Sequence, residues 1–123
     1  MKIEVSIGEI VDKLSILDIK RQKITDPDKL VNIQREYQYL YKIVFDDLNI
    51  SIDDYDCLLQ NNIMLWSIED DIRLKEKDKE FDNDFVELAR SVYITNDNRF
   101  EIKNHINFKY HSNFREEKSY EKY

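Results

Sequence analysis

The sequence predicts an all-α protein, an antiparallel bundle of four to five helices with a docked aromatic C-terminal tail, and three observations carry that expectation. Four segments repeat apolar residues at helical spacing, and each opens on a residue suited to cap a helix. One Gly and one Pro in 123 residues exclude sheets joined by tight turns and glycine-rich phosphate loops, which need glycine where φ is positive. A content of 41% hydrophobic and 12% aromatic residues is enough for a core and excludes a chain disordered throughout. This length fits a single helical domain spanning residues 1–123.

The first element is expected from Ile7 to Ile24. Ser6 caps it, Glu9 completes a capping box, Val5 is placed to staple to Ile10, and Ile7, Ile10, Val11, Leu14, Leu17 and Ile24 give the apolar face. Thr25-Asp26-Pro27 stops it, because proline disfavours a helical residue before it and suits the first position of the next helix, with Asp26 as cap. The short turn predicts an antiparallel hairpin over residues 6–49, the second helix facing inward through Leu30, Ile33, Tyr37, Leu40, Tyr41, Val44 and Leu48. Ser51 caps a third helix over 51–77, with Asp54 in its first turn favouring the helix dipole. The charged run Glu76 to Glu80 reads equally as its end or as a solvated continuation. A fourth helical region over 82–110 starts at cap Asp82 and turns Phe85, Leu88, Val92 and Tyr93 inward; Asn96-Asp97-Asn98 has turn composition, so the helix runs on or breaks there. The tail 111–123 and the residues just before it hold five of the fifteen aromatics, which predicts docking on the body or on a partner.

The net charge of −7 is unevenly spread: residues 1–87 carry 12 Lys/Arg against 21 Asp/Glu, residues 88–123 carry 7 against 5. Nucleic acid is therefore an unlikely partner, since counterion release needs a dense positive patch. The longest apolar run is four residues, Ile63 to Trp66, so no membrane span or secretory signal is read and a cytoplasmic setting is expected, the host cytoplasm if the chain is viral. The single Cys57 cannot form an internal disulfide and is expected to be a buried, inert thiol.

Metal and cofactor chemistry find no purchase. Glu-x-x-His pairs are absent, and Glu101 with His105 is an i, i+4 pair more readily read as a surface salt bridge. The carboxylates of Glu69-Asp70-Asp71 and Glu76 to Asp84 read as surface charge, so no metal and no cofactor are expected. The feature that resists a purely structural account is polar residues where the helical stripe calls for apolar ones. Asn62, Glu69 and Arg73 share a face with Trp66, and Asn96, Arg99, Lys103 and Asn107 form a ladder at i, i+3, i+7 and i+11. Two readings stand. Either an interhelical network pairs Glu69 with Arg99 or Lys103 and fixes register, or Arg73, Arg90, Arg99 and Lys103 form a cationic lining that receives an anionic ligand or an acidic partner segment, with bidentate arginine contacts to carboxylate or phosphate.

Four blocks in order, Lys2 to Leu14, Leu65 to Arg73, Leu88 to Tyr93 with Asn96 to Arg99, and Glu116 to Tyr120, resemble a family of short all-helical bacterial and phage proteins of unknown function, sometimes encoded near glycosyltransferases. The resemblance implies an all-helical fold and a leaning toward surface-polysaccharide biology; it carries over no catalytic residue, cofactor or substrate. The expectation is a small non-enzymatic binding or accessory module engaging a protein partner or a second copy as a homodimer. The alternative is a small enzyme or sensor binding an anionic molecule through Glu69, Arg73, Arg90, Asn96, Arg99, Lys103 and Asn107.

Overall fold

A computed structural model describes all residues, 1–123. Four α-helices form, α1 Ile7–Lys23, α2 Pro27–Tyr41, α3 Ile52–Lys77 and α4 Asn83–Lys109, with a π-helical segment Lys42–Asp47 closing α2 and no strand. The starts follow the capping chemistry. The side chains of Ser6, Asp26, Ser51 and Asp82 accept from the backbone N–H groups of Glu9, Asp28, Asp54 and Phe85, which satisfies orphan donors in each first turn. The reciprocal half of the predicted box at α1 does not form, because the Glu9 carboxylate reaches across to Lys103 on α4 instead.

α3 ends at Lys77, inside the charged run, and α4 passes through Asn96-Asp97-Asn98 unbroken. The turn composition there is overridden because this stretch packs on the bundle: Thr95 is buried and its carbonyl accepts from Asn61 Nδ2 at 3.3 Å. The π-helical widening of α2 was not expected. Its i, i+5 bond from Leu48 N to Ile43 O accompanies an aromatic run, Tyr37 to Tyr41 to Phe45, that ends edge-on against Tyr55 of α3.

Helix ends show how a chain with one glycine manages left-handed residues. Asn49, Lys79 and His111 stand at φ 54°, 57° and 59° directly after their helices. The bonds Glu80 N to Lys75 O and Ser112 N to Asn107 O close the last turns in the manner of a Schellman motif. For a lysine this conformation costs on the order of 1 kcal/mol that glycine would avoid, and Lys79 is exposed. Lys79→Gly should therefore raise stability by about 1 kcal/mol and Tm by roughly 4 °C in a melt followed by circular dichroism; an unchanged or lowered Tm would refute the account.

α1 is the organising element, packing against α2, α3 and α4, while α3 and α4 pack on each other. The core is small: Val11, Leu14, Val44, Ile50, Tyr55, Leu58 and Ile106, with Ile7, Ile10, Tyr37, Leu40 and Phe45 around it. It lies where the start of α3 meets the end of α4. A polar clasp joins those two ends. The Tyr110 hydroxyl accepts from Ser51 N at 3.0 Å and donates to Asp54 Oδ2 at 2.6 Å, and Lys109 Nζ lies 2.8 Å from the same oxygen. Burial alone would raise the Asp54 carboxyl, but hydrogen bonds from Lys109, Tyr110 and Ser51 outweigh it and hold the group at about 2.

That value lies below the ordinary 3.8, so the ionised clasp contributes fully above about pH 4 and its contribution is lost as pH falls through 2. Urea midpoints measured from pH 5 to pH 2 should fall more steeply for wild type than for Asp54→Asn; superimposable acid limbs would show that the clasp adds nothing.

The tail docks differently from expectation. Phe114, Tyr120 and Tyr123 stay 52%, 76% and 75% exposed, so it does not bury an aromatic face. Polar contacts hold it: Ser112 Oγ accepts from Ile7 N at 3.0 Å, Glu116 lies 2.8 Å from Lys103 Nζ, and Asn113 Nδ2 donates to Glu4. Tyr123 meets Tyr93 edge-on. Cations of the tail also lie over aromatic rings of α4, Arg115 over Phe108 and Lys118 over Phe100.

Candidate functional site

The polar ladder of α4 is met by a face of α1 that apolar periodicity passes over. Gly8, Asp12, Ser15 and Asp18 recur at i, i+4, i+7 and i+10, and all four are buried. Asp12 takes both ends of the Arg99 fork, Nε to Oδ1 at 2.9 Å and Nη2 to Oδ2 at 2.5 Å. Asn62 of α3 donates to Asp12 Oδ1 at 2.9 Å and to Ser15 Oγ at 2.7 Å, and Ser15 Oγ donates to the Asp12 carbonyl. One turn toward the start of α1, Lys103 is buried between Glu9 at 2.7 Å and Glu116 at 2.8 Å. Gly8 N donates to Asn107 Oδ1 at 2.6 Å. This seam ties three helices and the tail into one register.

The electrostatics follow from the pairing. The hydrogen bonds to Asp12 raise the Arg99 guanidinium further, against its own desolvation. Burial pulls the Lys103 ammonium down, but the hydrogen bonds to Glu116 and Glu9 prevail and raise it, so it stays charged. At the far side of α1, Tyr55 donates to Asp18 Oδ2 at 2.7 Å, and burial together with that carboxylate pushes its hydroxyl up, which keeps it a donor.

Beside the seam a cavity of about 350 Å³ opens between α1, α3 and α4. Ile16, Ile19, Leu65 and Trp66 form its apolar wall, and Asn62, Glu69, Asp70, Arg73 and Arg99 its polar one. Of the residues singled out in the sequence, Glu69, Arg73 and Arg99 therefore meet at one place. Lys103 and Asn107 lie deeper in the seam and do not line the cavity. Arg90 is exposed and pairs with Glu87 at 3.3 Å, and Asn96 lines a separate cavity of about 480 Å³ with Tyr93, Tyr120 and Tyr123.

Two expectations are corrected here. The carboxylate that meets Arg99 is Asp12, and those that meet Lys103 are Glu9 and Glu116; Glu69 instead bonds Arg73 one turn along its own helix at 3.4 Å. The physical reason is that α1 packs against both helices and supplies its own acids. The four cations Arg73, Arg90, Arg99 and Lys103 do not converge on a common lining, and each already faces a carboxylate. Cys57 is exposed, since its position on α3 points away from the core that Tyr55 and Leu58 enter. Glu101 and His105 are both exposed, and no three His, Cys, Asp or Glu side chains come together as a metal site.

Sequence reasoning missed Gly8, Glu9, Asp12 and Ser15 as partners of the ladder. The signal was present in the spacing of small and acidic residues along α1 and in the placement of the only glycine inside a helix, where it has no conformational use.

The family model of DUF6165, a family of unknown function, matches residues 1–123. The chain belongs to that family. The match covers the four helices, the seam and the tail of this DUF6165 protein alike. No curated protein and no solved structure matches it. No helix of this DUF6165 chain is long and apolar enough to cross a membrane.

Proposed function

We propose that the protein is a non-enzymatic helical binding module that engages a protein partner through the outer halves of α3 and α4. One observation carries this reading: from Ile63 through Ile94 not a single residue is buried. Leu65, Trp66, Ile72, Phe85, Leu88 and Val92 are half-buried, as expected of two helices that cover each other along one seam. Met64, Leu74, Val86 and Ile94 remain 58%, 57%, 49% and 41% exposed on the other faces. Amphipathic helices need a third layer to bury such faces, and contiguous exposed apolar surface marks interaction sites.

Charge selects the partner. Residues 63–94 carry nine carboxylates against five cationic side chains, so a basic amphipathic helix complements this face, whereas a second copy would bring like charge to it. Against the small-anion alternative, Arg99 and Lys103 are committed to carboxylates in the seam, and Arg73 and Arg90 stand apart from each other on the surface. A cytoplasmic setting fits the exposed thiol of Cys57, which an oxidising compartment would leave open to intermolecular pairing.

The test is fluorescence anisotropy with two labelled synthetic amphipathic helices that share an apolar face and differ in charge, together with light scattering of the protein alone. The basic helix should bind, weaken with salt, and lose at least tenfold in affinity to Val86→Glu, while the protein scatters as a monomer. Binding of neither helix would overturn the reading, and a dimer dissociated by Val86→Glu would assign the face to a second copy.

A further inference from the structure

The cavity between α1, α3 and α4 opens on α3 residues of that same outer half, and the buried polar atom on its lining that lacks a partner is an acceptor. Asn62 is 4% exposed; its Nδ2 is committed to Asp12 and Ser15, and its Oδ1 has no partner. The amide cannot turn round to relieve this, because its oxygen would then face the Asp12 carboxylate. Such an unpaired buried acceptor is costly unless a donor arrives. At the rim, Asp70 is exposed and unpaired, and Glu69 makes only a long, exposed contact with Arg73. Arg99, the remaining cation of the wall, is neutralised by Asp12. Beside these acceptors on α3 lie Trp66 and Leu65, an aromatic face and an aliphatic surface.

We propose that this cavity seats a cationic, hydrogen-bond-donating group carried on an apolar stem, the chemistry of an arginine side chain. The stem packs on Trp66 and Leu65, the cation lies over the indole and against Asp70, and its N–H groups satisfy the acceptors of the wall. A volume of about 350 Å³ accommodates such a group. The inference rests on the reading of the outer α3–α4 face as a docking surface for a basic partner and adds the pocket that holds the partner's anchor.

Trp66 is the only tryptophan, so its fluorescence reports on this cavity alone. The protein is titrated with agmatine, a guanidinium on a four-carbon stem, with butyrate and butanol as controls, and with the basic helix bearing one arginine. Agmatine should give a saturable change that Asp70→Asn weakens at least fivefold, with neither control competing; circular dichroism melts of Asp70→Asn should match wild type. Peptide binding at least tenfold tighter than agmatine identifies a partner's side chain as the source, and equal affinity identifies a free small cation. No saturable change with agmatine or peptide, or equal binding of butyrate, overturns the assignment. A basic helix that binds and is sensitive to Val86→Glu but leaves Trp66 unmoved would remove the cavity proposal and keep the docking face; agmatine binding without peptide binding would do the reverse.

Discussion

Asp12→Ala should be the most destabilising single change at the polar seam, lowering stability by about 3–5 kcal/mol and Tm by roughly 15 °C. The loss comes from what is stranded. Arg99 keeps a 25% exposed guanidinium without its bidentate partner, and Asn62, already short of one hydrogen bond, loses a second. Arg99→Ala should cost a similar amount by leaving the Asp12 carboxylate buried and unpaired. The double substitution Asp12→Leu with Arg99→Leu should be less destabilising than either alanine variant, because removing both charges spares the desolvation cost. Chemical denaturation of the four proteins closes the cycle. Additive losses would show that the pair is not coupled and that the seam is held by its apolar flanks.

Gly8→Ala is expected to cost about 2 kcal/mol, against the usual gain for replacing a helical glycine. A Cβ at this position would stand 2.7 Å from the Lys103 carbonyl oxygen, 3.0 Å from Asn107 Oδ1 and 3.1 Å from Lys103 Cβ. The nearest atom is backbone and cannot swing away, so α1 and α4 must part. Overpacking of this kind costs about 1–3 kcal/mol, and the loss of a buried hydrogen bond between Gly8 and Asn107 adds about 1 more. The helix-propensity gain of up to about 1 kcal/mol in the first turn does not cover both. A thermal melt of the alanine variant checks it; a Tm at or above that of wild type would mean that the helices have room. The backbone approach also explains why the chain keeps one glycine here while it places Asn49, Lys79 and His111 in left-handed positions elsewhere. Left-handed φ is a cost of about 1 kcal/mol that other terms absorb, but a collision between two helix backbones has no local remedy.

The helices, their four caps and their order were legible in the amino-acid sequence, because capping and apolar periodicity are local: Ser6, Asp26, Ser51 and Asp82 act on N–H groups two or three residues away. The polar ladder was legible as a pattern for the same reason. Its partners were not. Pairing Arg99 with Asp12 spans 87 residues, and while the spacing of Gly8, Asp12 and Ser15 marks a polar face on α1, it does not say that this face, rather than Glu69, meets Arg99. Only the packing of α1 across both α3 and α4 decides that, and it decides at once that Arg99 and Lys103 are spent on structure, that Asn62 is left with an idle acceptor beside Trp66, and that the outer half of the α3–α4 pair has no third layer over it. Local chemistry sets where helices begin and which faces are apolar; which charge neutralises which, and which apolar face stays bare, depends on how far each helix reaches over its neighbours, a property of the packed assembly alone.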